Sequence, residues 1–73
     1  MKLFAEAAED FSSAINEHDS DAGLYFNRGN AHYSVKKYDL ALPDYQKAIE
    51  LDSDNPVYFH HQGLAYQVEK KEF

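Results

Sequence analysis

The stretch that decides the fold runs from Tyr38 to Leu51 and reads YDLALPDYQKAIEL. Its apolar residues fall at positions i, i+1, i+4, i+7 and i+8, namely Ala41, Leu42, Tyr45, Ala48 and Ile49. On a helix of about 3.6 residues per turn, this spacing places all of them on one stripe. The stretch therefore predicts an amphipathic helix that packs against its neighbours along that stripe.

The same stripe occurs a second time, 34 residues earlier in the chain. Its members have the same spacing and the same order of small and large side chains: Ala7, Ala8, Phe11, Ala14 and Ile15. Two copies of one pattern at a fixed offset indicate an internal repeat. The rest of the chain is then expected to hold the helices against which these two copies pack.

Two further segments repeat at the same offset, and each carries two stripes side by side. The first stripe is Tyr25, Gly29 and His32 in one copy and Phe59, Gly63 and Tyr66 in the other. The second stripe is Phe26, Asn30 and Tyr33 in one copy and His60, Leu64 and Gln67 in the other. Gly29 lies in mid-helix, where glycine costs about 1 kcal/mol relative to alanine. We therefore predict that a neighbouring helix approaches closely there, with His32 as a core or helix-contact histidine.

Polar residues and prolines set the predicted helix boundaries. Asp21 is expected to cap the second helix and Asp39 the third, with Pro43 in its first turn or just past it. Asn55 is expected to cap the fourth helix, and Pro56 to take its first position. The sequence thus predicts an all-α fold of four antiparallel helices, about 3–17, 22–36, 39–52 and 56–70, in a single domain covering 1–73.

A 34-residue period of paired helices is typical of a helical solenoid, and the residues resemble the tetratricopeptide repeat. The opening half of that family's pattern is matched by Tyr25-x2-Arg28-Gly29-x2-His32. The closing half is matched by Ala41-x3-Tyr45-x2-Ala48. Arg28 and Gln62 depart from the family's leucine, and His32 departs from its tyrosine. Asp19 and Ser53 take the place of its closing proline.

The phase of the repeat is unusual, because the chain starts with the second helix of one repeat. One complete repeat follows, over about residues 22–55, and the chain stops after the first helix of another. We expect a piece of a longer array. The first helix of one molecule could also pack after the fourth helix of another, so we expect self-association by end-to-end stacking or helix swapping.

The resemblance implies a function as a protein-interaction scaffold. In this family the first helix of each repeat lines a concave groove that receives a peptide or helix from a partner protein. Carried over to this sequence, the groove residues are Phe26, Asn27, Asn30, Tyr33, Val57, His60, Leu64 and Gln67. Amides can bond a peptide backbone in both directions, and the aromatic and aliphatic members supply apolar area. The alternative is a purely structural segment, in which these residues pack only against neighbouring repeats.

One sub-family of such domains binds acidic C-terminal tails of heat-shock chaperones through lysines, arginines and asparagines. Asn27 and Asn30 could serve as such asparagines, but Phe26, Val57 and His60 fill or flank the places of the basic residues. The sequence therefore disfavours this kind of binding.

Composition excludes several other classes. Thirteen acidic residues against seven basic ones give a net charge of −6, which disfavours nucleic-acid binding. No apolar run approaches the roughly 20 residues of a membrane span. With no cysteine and no signal-like start, a cytoplasmic location is expected. His60 and His61 are adjacent, so they do not chelate a metal as an i, i+4 pair would. No nucleophile has a base nearby in the pattern, so neither an enzyme nor a cofactor is expected.

Overall fold

The computed structural model describes residues 4–72, with side chains described from Ala8 to Lys71. Its four helices are α1 Phe4–Glu17, α2 Ala22–Ser34, α3 Tyr38–Leu51 and α4 Pro56–Glu72. Each helix packs on the next one along the chain. No strand occurs within residues 4–72, and the predicted all-α helical-repeat class is confirmed. Leu3, the predicted start of the first helix, and the side chain of Ala7 lie outside this description.

Two of the predicted helix caps are confirmed. The Asp21 carboxylate accepts a hydrogen bond from the Gly23 N–H at 3.0 Å at the start of α2. At the start of α4, the Asn55 side-chain oxygen accepts one from the Val57 N–H, also at 3.0 Å. In both cases a short polar side chain satisfies an N–H group that has no partner within the helix.

α2 ends at Ser34, two residues before the predicted end. The Lys36 N–H donates to the Tyr33 carbonyl at 3.0 Å, and the Lys37 N–H donates to the His32 carbonyl at 2.9 Å. Lys36 has a φ of 64°, in the left-handed region. These two bonds and the left-handed residue close the helix end as a Schellman motif does, so the helix cannot continue through Lys36.

The prediction that Asp39 caps the third helix is wrong. α3 begins at Tyr38, its cap residue is Lys37, and Lys37 makes no side-chain capping bond. The turn that closes α2 leaves the Lys37 carbonyl to accept from the N–H groups of Leu40 and Ala41, at 3.1 and 3.0 Å. Asp39 instead lies in the first turn of α3, where its negative charge interacts favourably with the helix dipole.

The apolar stripe of α3 is the centre of the core. Ala41, Tyr45 and Ala48 are fully buried, and Leu42 and Ile49 are nearly so. A methyl group built on Gly29 of α2 would lie 2.8 Å from the Tyr45 ring and 3.3 Å from the Ala41 carbonyl oxygen. The predicted close approach at Gly29 is therefore confirmed: a glycine is needed for α2 and α3 to pack at this distance.

Over the residues that the structure describes, none of the four helices is both long enough and apolar enough to cross a bilayer.

Candidate functional site

Phe26, predicted as a groove residue, lies where α2 meets α4. Its ring centroid is 4.8 Å from that of Tyr58 and 5.0 Å from that of His61, which it meets edge to face. It also packs 5.8 Å from the Tyr45 ring of α3. Aromatic pairs at these distances attract one another beyond the area they bury. Phe26 is half-buried and joins α2 to α4 through these ring contacts.

Asn30 lies one turn after Phe26 on α2, and a residue of α3 holds its side chain in place. Its side-chain oxygen accepts a hydrogen bond from the Tyr45 hydroxyl at 2.6 Å. Burial raises the pKa of Tyr45 to about 12, so the hydroxyl remains a donor at neutral pH. The amide nitrogen of Asn30 takes no part in this bond.

Tyr33 completes the α2 part of the predicted groove. It is half-buried and packs against the core cluster that contains Ala41, Tyr45 and Ala65. Its ring also meets that of Tyr38 edge to face, with centroids 5.3 Å apart. Phe26, Asn30 and Tyr33 are thus all anchored by α3 or α4, so their positions are set by the core.

The other five predicted groove residues are exposed. Val57 is 47% exposed and Leu64 is 38% exposed. Asn27, His60 and Gln67 are exposed as well. Across α2 and α4, the eight residues therefore offer amide groups, an imidazole and apolar area. We refer to these eight residues below as the α2–α4 surface.

Sequence reasoning missed a charged network that ties three helices together. Asp44 of α3 is only 5% exposed, and Arg28 of α2 donates to both of its oxygens, at 2.9 and 2.6 Å. This hydrogen bond raises the pKa of Arg28. Arg28 also donates to the Ser12 hydroxyl of α1 at 3.1 Å. The signal was present in the sequence, because a charged residue in the family's leucine position needs a partner when it is buried.

His32 lies beside this network. Its Nε2 is 3.7 Å from an Asp44 oxygen, so the prediction of a helix-contact histidine is confirmed. Burial lowers the pKa of His32, and the charge of Asp44 opposes that shift only in part. The imidazole is therefore held mainly in its neutral form at pH 7.

The chain also has an open cleft of about 730 Å³. It is lined by the α1–α2 turn, the start of α2, the end of α3 and Tyr58, and it contains none of the eight predicted residues. Within the described part of the chain, no three histidine or acidic side chains come together in a way that could hold a metal ion.

Comparison with known proteins shows to which family this four-helix architecture belongs. The family profile of the tetratricopeptide repeat matches residues 22–55, which comprise α2, α3 and the turns that bound them. The chain belongs to the tetratricopeptide repeat family. The matched segment is the one complete repeat that the 34-residue period delimits.

Several curated proteins are similar to this tetratricopeptide chain. Neutrophil cytosol factor 2 of Homo sapiens is 33% identical over 69 residues, which is 93% of this chain and 13% of that protein. Hsp70-Hsp90 organizing protein 2 of Arabidopsis thaliana is 41% identical over 51 residues, covering 70% of this chain and 9% of the relative. The Protein SGT1 homolog of Oryza sativa subsp. japonica is 37% identical over 62 residues, covering 85% and 17%. The chain thus spans a small part of each relative's length. No solved structure gives a significant match.

Proposed function

We propose that this tetratricopeptide chain is a protein-interaction scaffold and that its α2–α4 surface holds an extended segment of a partner protein. The observation that carries the proposal is the contact of Phe26 with Tyr58 and His61. Because this contact joins α2 to α4, it supports the proposal that the exposed residues of the two helices act as one surface. The Arabidopsis relative is named an Hsp70-Hsp90 organizing protein, which supports the general role.

The chemistry of the surface suits a peptide backbone. An extended segment presents N–H and carbonyl groups alternately, and the amides of Asn27 and Gln67 can both donate and accept. Val57 and Leu64 offer apolar area to the segment's side chains. The role is recognition without reaction, as in other grooves that bind extended or helical segments.

The charge of the surface bears on which segments it would accept. None of the eight residues is a lysine or arginine. A strongly acidic tail would therefore find no permanent positive charge there, and we propose a partner segment of mixed or neutral character. We also propose a cytoplasmic location, in keeping with the name of the human relative, a neutrophil cytosol factor.

The alternative function is a purely structural repeat that binds no outside ligand. The burial of Phe26, Asn30 and Tyr33 favours it in part, because these residues already have partners within the fold. The exposed members of the surface discriminate between the two functions, since changing them leaves the core intact.

The test uses peptides selected on the wild-type chain from a random display library. Their affinities are then measured for the triple variant Asn27→Ala/His60→Ala/Gln67→Ala and for the control Lys47→Ala/Glu50→Ala on the exposed side of α3. We expect the triple variant to lose about tenfold or more, or about 1.4 kcal/mol, and the control to match the wild type. If no peptide is enriched, or if both variants bind alike, the proposal is wrong.

We also propose that copies of the chain self-associate. Support comes from the large apolar side chains that α4 leaves exposed, among them Phe59 at 49% and Tyr66 at 53%.

A further inference from the structure

α4 leaves open the face that α2 uses to receive α3. On α2, a methyl group at Gly29 would collide with Tyr45 at 2.8 Å. On α4, the counterpart Gly63 has nothing within 4 Å of such a methyl group. Phe59 and Tyr66, on either side of Gly63, are about half exposed. Within residues 4–72, α4 therefore presents the same kind of face that receives a helix on α2, and no helix packs on it.

α1 has a matching open face. On α3, Tyr45 and Ala48 are fully buried against the rest of the molecule. Their counterparts 34 residues earlier, Phe11 and Ala14, are only half-buried. The other half of the α1 stripe is covered as it is in α3, with Ala8 at 6% and Ile15 at 7% exposure, like Leu42 and Ile49 at 9% and 8%. The open half of α1 is therefore the half by which α3 packs on α2.

The polar contacts show that the 34-residue repeat relates the helix interfaces to one another as well as the sequence segments. Between α1 and α2, Arg28 donates to the Ser12 hydroxyl at 3.1 Å. Between α3 and α4, Gln62 donates to Gln46 at 2.8 Å. Each residue of the second pair lies 34 positions after its counterpart in the first. The α1–α2 and α3–α4 interfaces are thus equivalent, so the open face of α1 is equivalent to the face of α3 that meets α2.

We propose that α1 of a second copy of this chain docks on the open face of α4, with its Phe11 over Gly63 as Tyr45 lies over Gly29. This inference deepens the proposed self-association and rests on it. α1 stays packed on its own α2, so the copies stack without exchanging helices. Because the two docking faces differ, the contact is head-to-tail, and it can extend beyond a dimer.

The same register suggests a way to strengthen the contact. Gln62 and Asp10 are the counterparts of Arg28 and Asp44, which form the buried ion pair between α2 and α3. In the docked arrangement, Gln62 of one copy faces Asp10 of the next. The substitution Gln62→Arg should then create a charge-assisted pair across the contact.

Sedimentation velocity over a concentration series tests the proposal on five chains: wild type, Gly63→Ala, Phe11→Ala, Gln62→Arg and Gln62→Arg/Asp10→Asn. We expect the wild-type mass to rise with concentration. Gly63→Ala should weaken association about tenfold or more, because the added methyl group meets Phe11 of the second copy. Gln62→Arg should strengthen association several-fold, and adding Asp10→Asn should reverse that gain. Circular dichroism checks that every variant is folded.

A mixing experiment distinguishes head-to-tail docking from other modes. Gly63→Ala retains its α1 face, and Phe11→Ala retains its α4 face. We expect each variant alone to be monomeric where the wild type associates, and their mixture to form a dimer and nothing larger. A wild type that is monomeric at all concentrations, an association that Gly63→Ala does not weaken, or a mixture that stays monomeric would overturn the proposal. Peptide capture by the α2–α4 surface is measured on the same Gly63→Ala chain, so either proposal can fail without the other.

Discussion

Asp44 is a buried charged side chain at the interface of α2 and α3, and Arg28 supplies the two hydrogen bonds that compensate its burial. Such a bidentate ion pair is strong when both partners are present. Removing one partner is costly, because it leaves a buried charge uncompensated. The spacing of apolar residues could not predict this pair, because both members are charged and Arg28 stands where the family has leucine. Only the three-dimensional position of Asp44 shows why an arginine is accepted there.

The substitution Arg28→Leu supplies the residue usual in the family, yet we expect it to destabilise this chain. It leaves the buried carboxylate of Asp44 without its main partner, at a cost of about 2 kcal/mol or more. The double change Arg28→Leu/Asp44→Leu should recover much of that loss. The free energy of unfolding from urea denaturation tests both, with the exposed Lys47→Leu as a near-neutral control. Equal stability of Arg28→Leu and wild type would contradict this account of the pair.

The glycines at equivalent positions should respond in opposite directions to the same change. Gly29→Ala forces a methyl group against the Tyr45 ring, and we expect a loss of about 1–3 kcal/mol. Gly63→Ala meets open space, and the better helix propensity of alanine should raise stability by up to about 1 kcal/mol. Thermal unfolding at low protein concentration measures both effects. A stabilising Gly29→Ala would show that α2 and α3 do not pack as closely as described.

Stability should fall as the pH falls from about 7 to about 5. Burial lowers the pKa values of His32 and His61 below the ordinary value of 6.5. The unfolded chain therefore binds protons at a higher pH than the folded chain does, which favours unfolding on acidification. Urea midpoints across this range measure the slope, and His61→Gln should make it shallower. A slope unchanged by that substitution, or a rise in stability on acidification, would contradict the prediction.

At the scale of helices, the sequence was most informative where one side chain acts locally. Asp21 and Asn55 cap their helices as predicted, because a carboxylate or amide bonds the N–H two residues on. The start of α3 was missed because it is set by the end of α2. Because the turn through Lys36 ends at Lys37, Lys37 is the cap residue of α3 and Asp39 lies within its first turn. A boundary set by the preceding helix cannot be found from side-chain preferences alone.

The earlier start of α3 places Pro43 inside the helix, past the first turn. Proline there removes a backbone donor and crowds the carbonyl four residues before it, that of Asp39. Because Pro43 is exposed, Pro43→Ala should restore the bond without disturbing the core and raise stability by about 1–3 kcal/mol. Chemical denaturation measures the gain, with Glu50→Ala in the same helix as a control. A loss of stability would mean that the proline helps to place α3.

At the scale of the whole molecule, the repeat predicted which faces meet but not how deeply each residue is buried. A close helix approach was expected at Gly29 and a core or helix contact at His32, and both residues lie against α3. Phe26 was expected in the groove, yet it also packs between Tyr45 and Tyr58. Its burial depends on the distance between α2 and α4, which is set by every side chain at that junction. The periodicity predicts the direction in which each side chain points around the helix axis. It carries no information on the distance between α2 and α4.

In the proposed function, α2 and α4 together present one surface to a partner segment. The most direct measurement is the change in backbone amide NMR shifts when a library-selected peptide is added to the wild-type chain. We predict that the largest changes cluster on both helices, around Asn27 and Asn30 in α2 and around His60, Leu64 and Gln67 in α4. Changes confined to the cleft around His18 to Gly23 and Asp52, or limited to one of the two helices, would contradict the account.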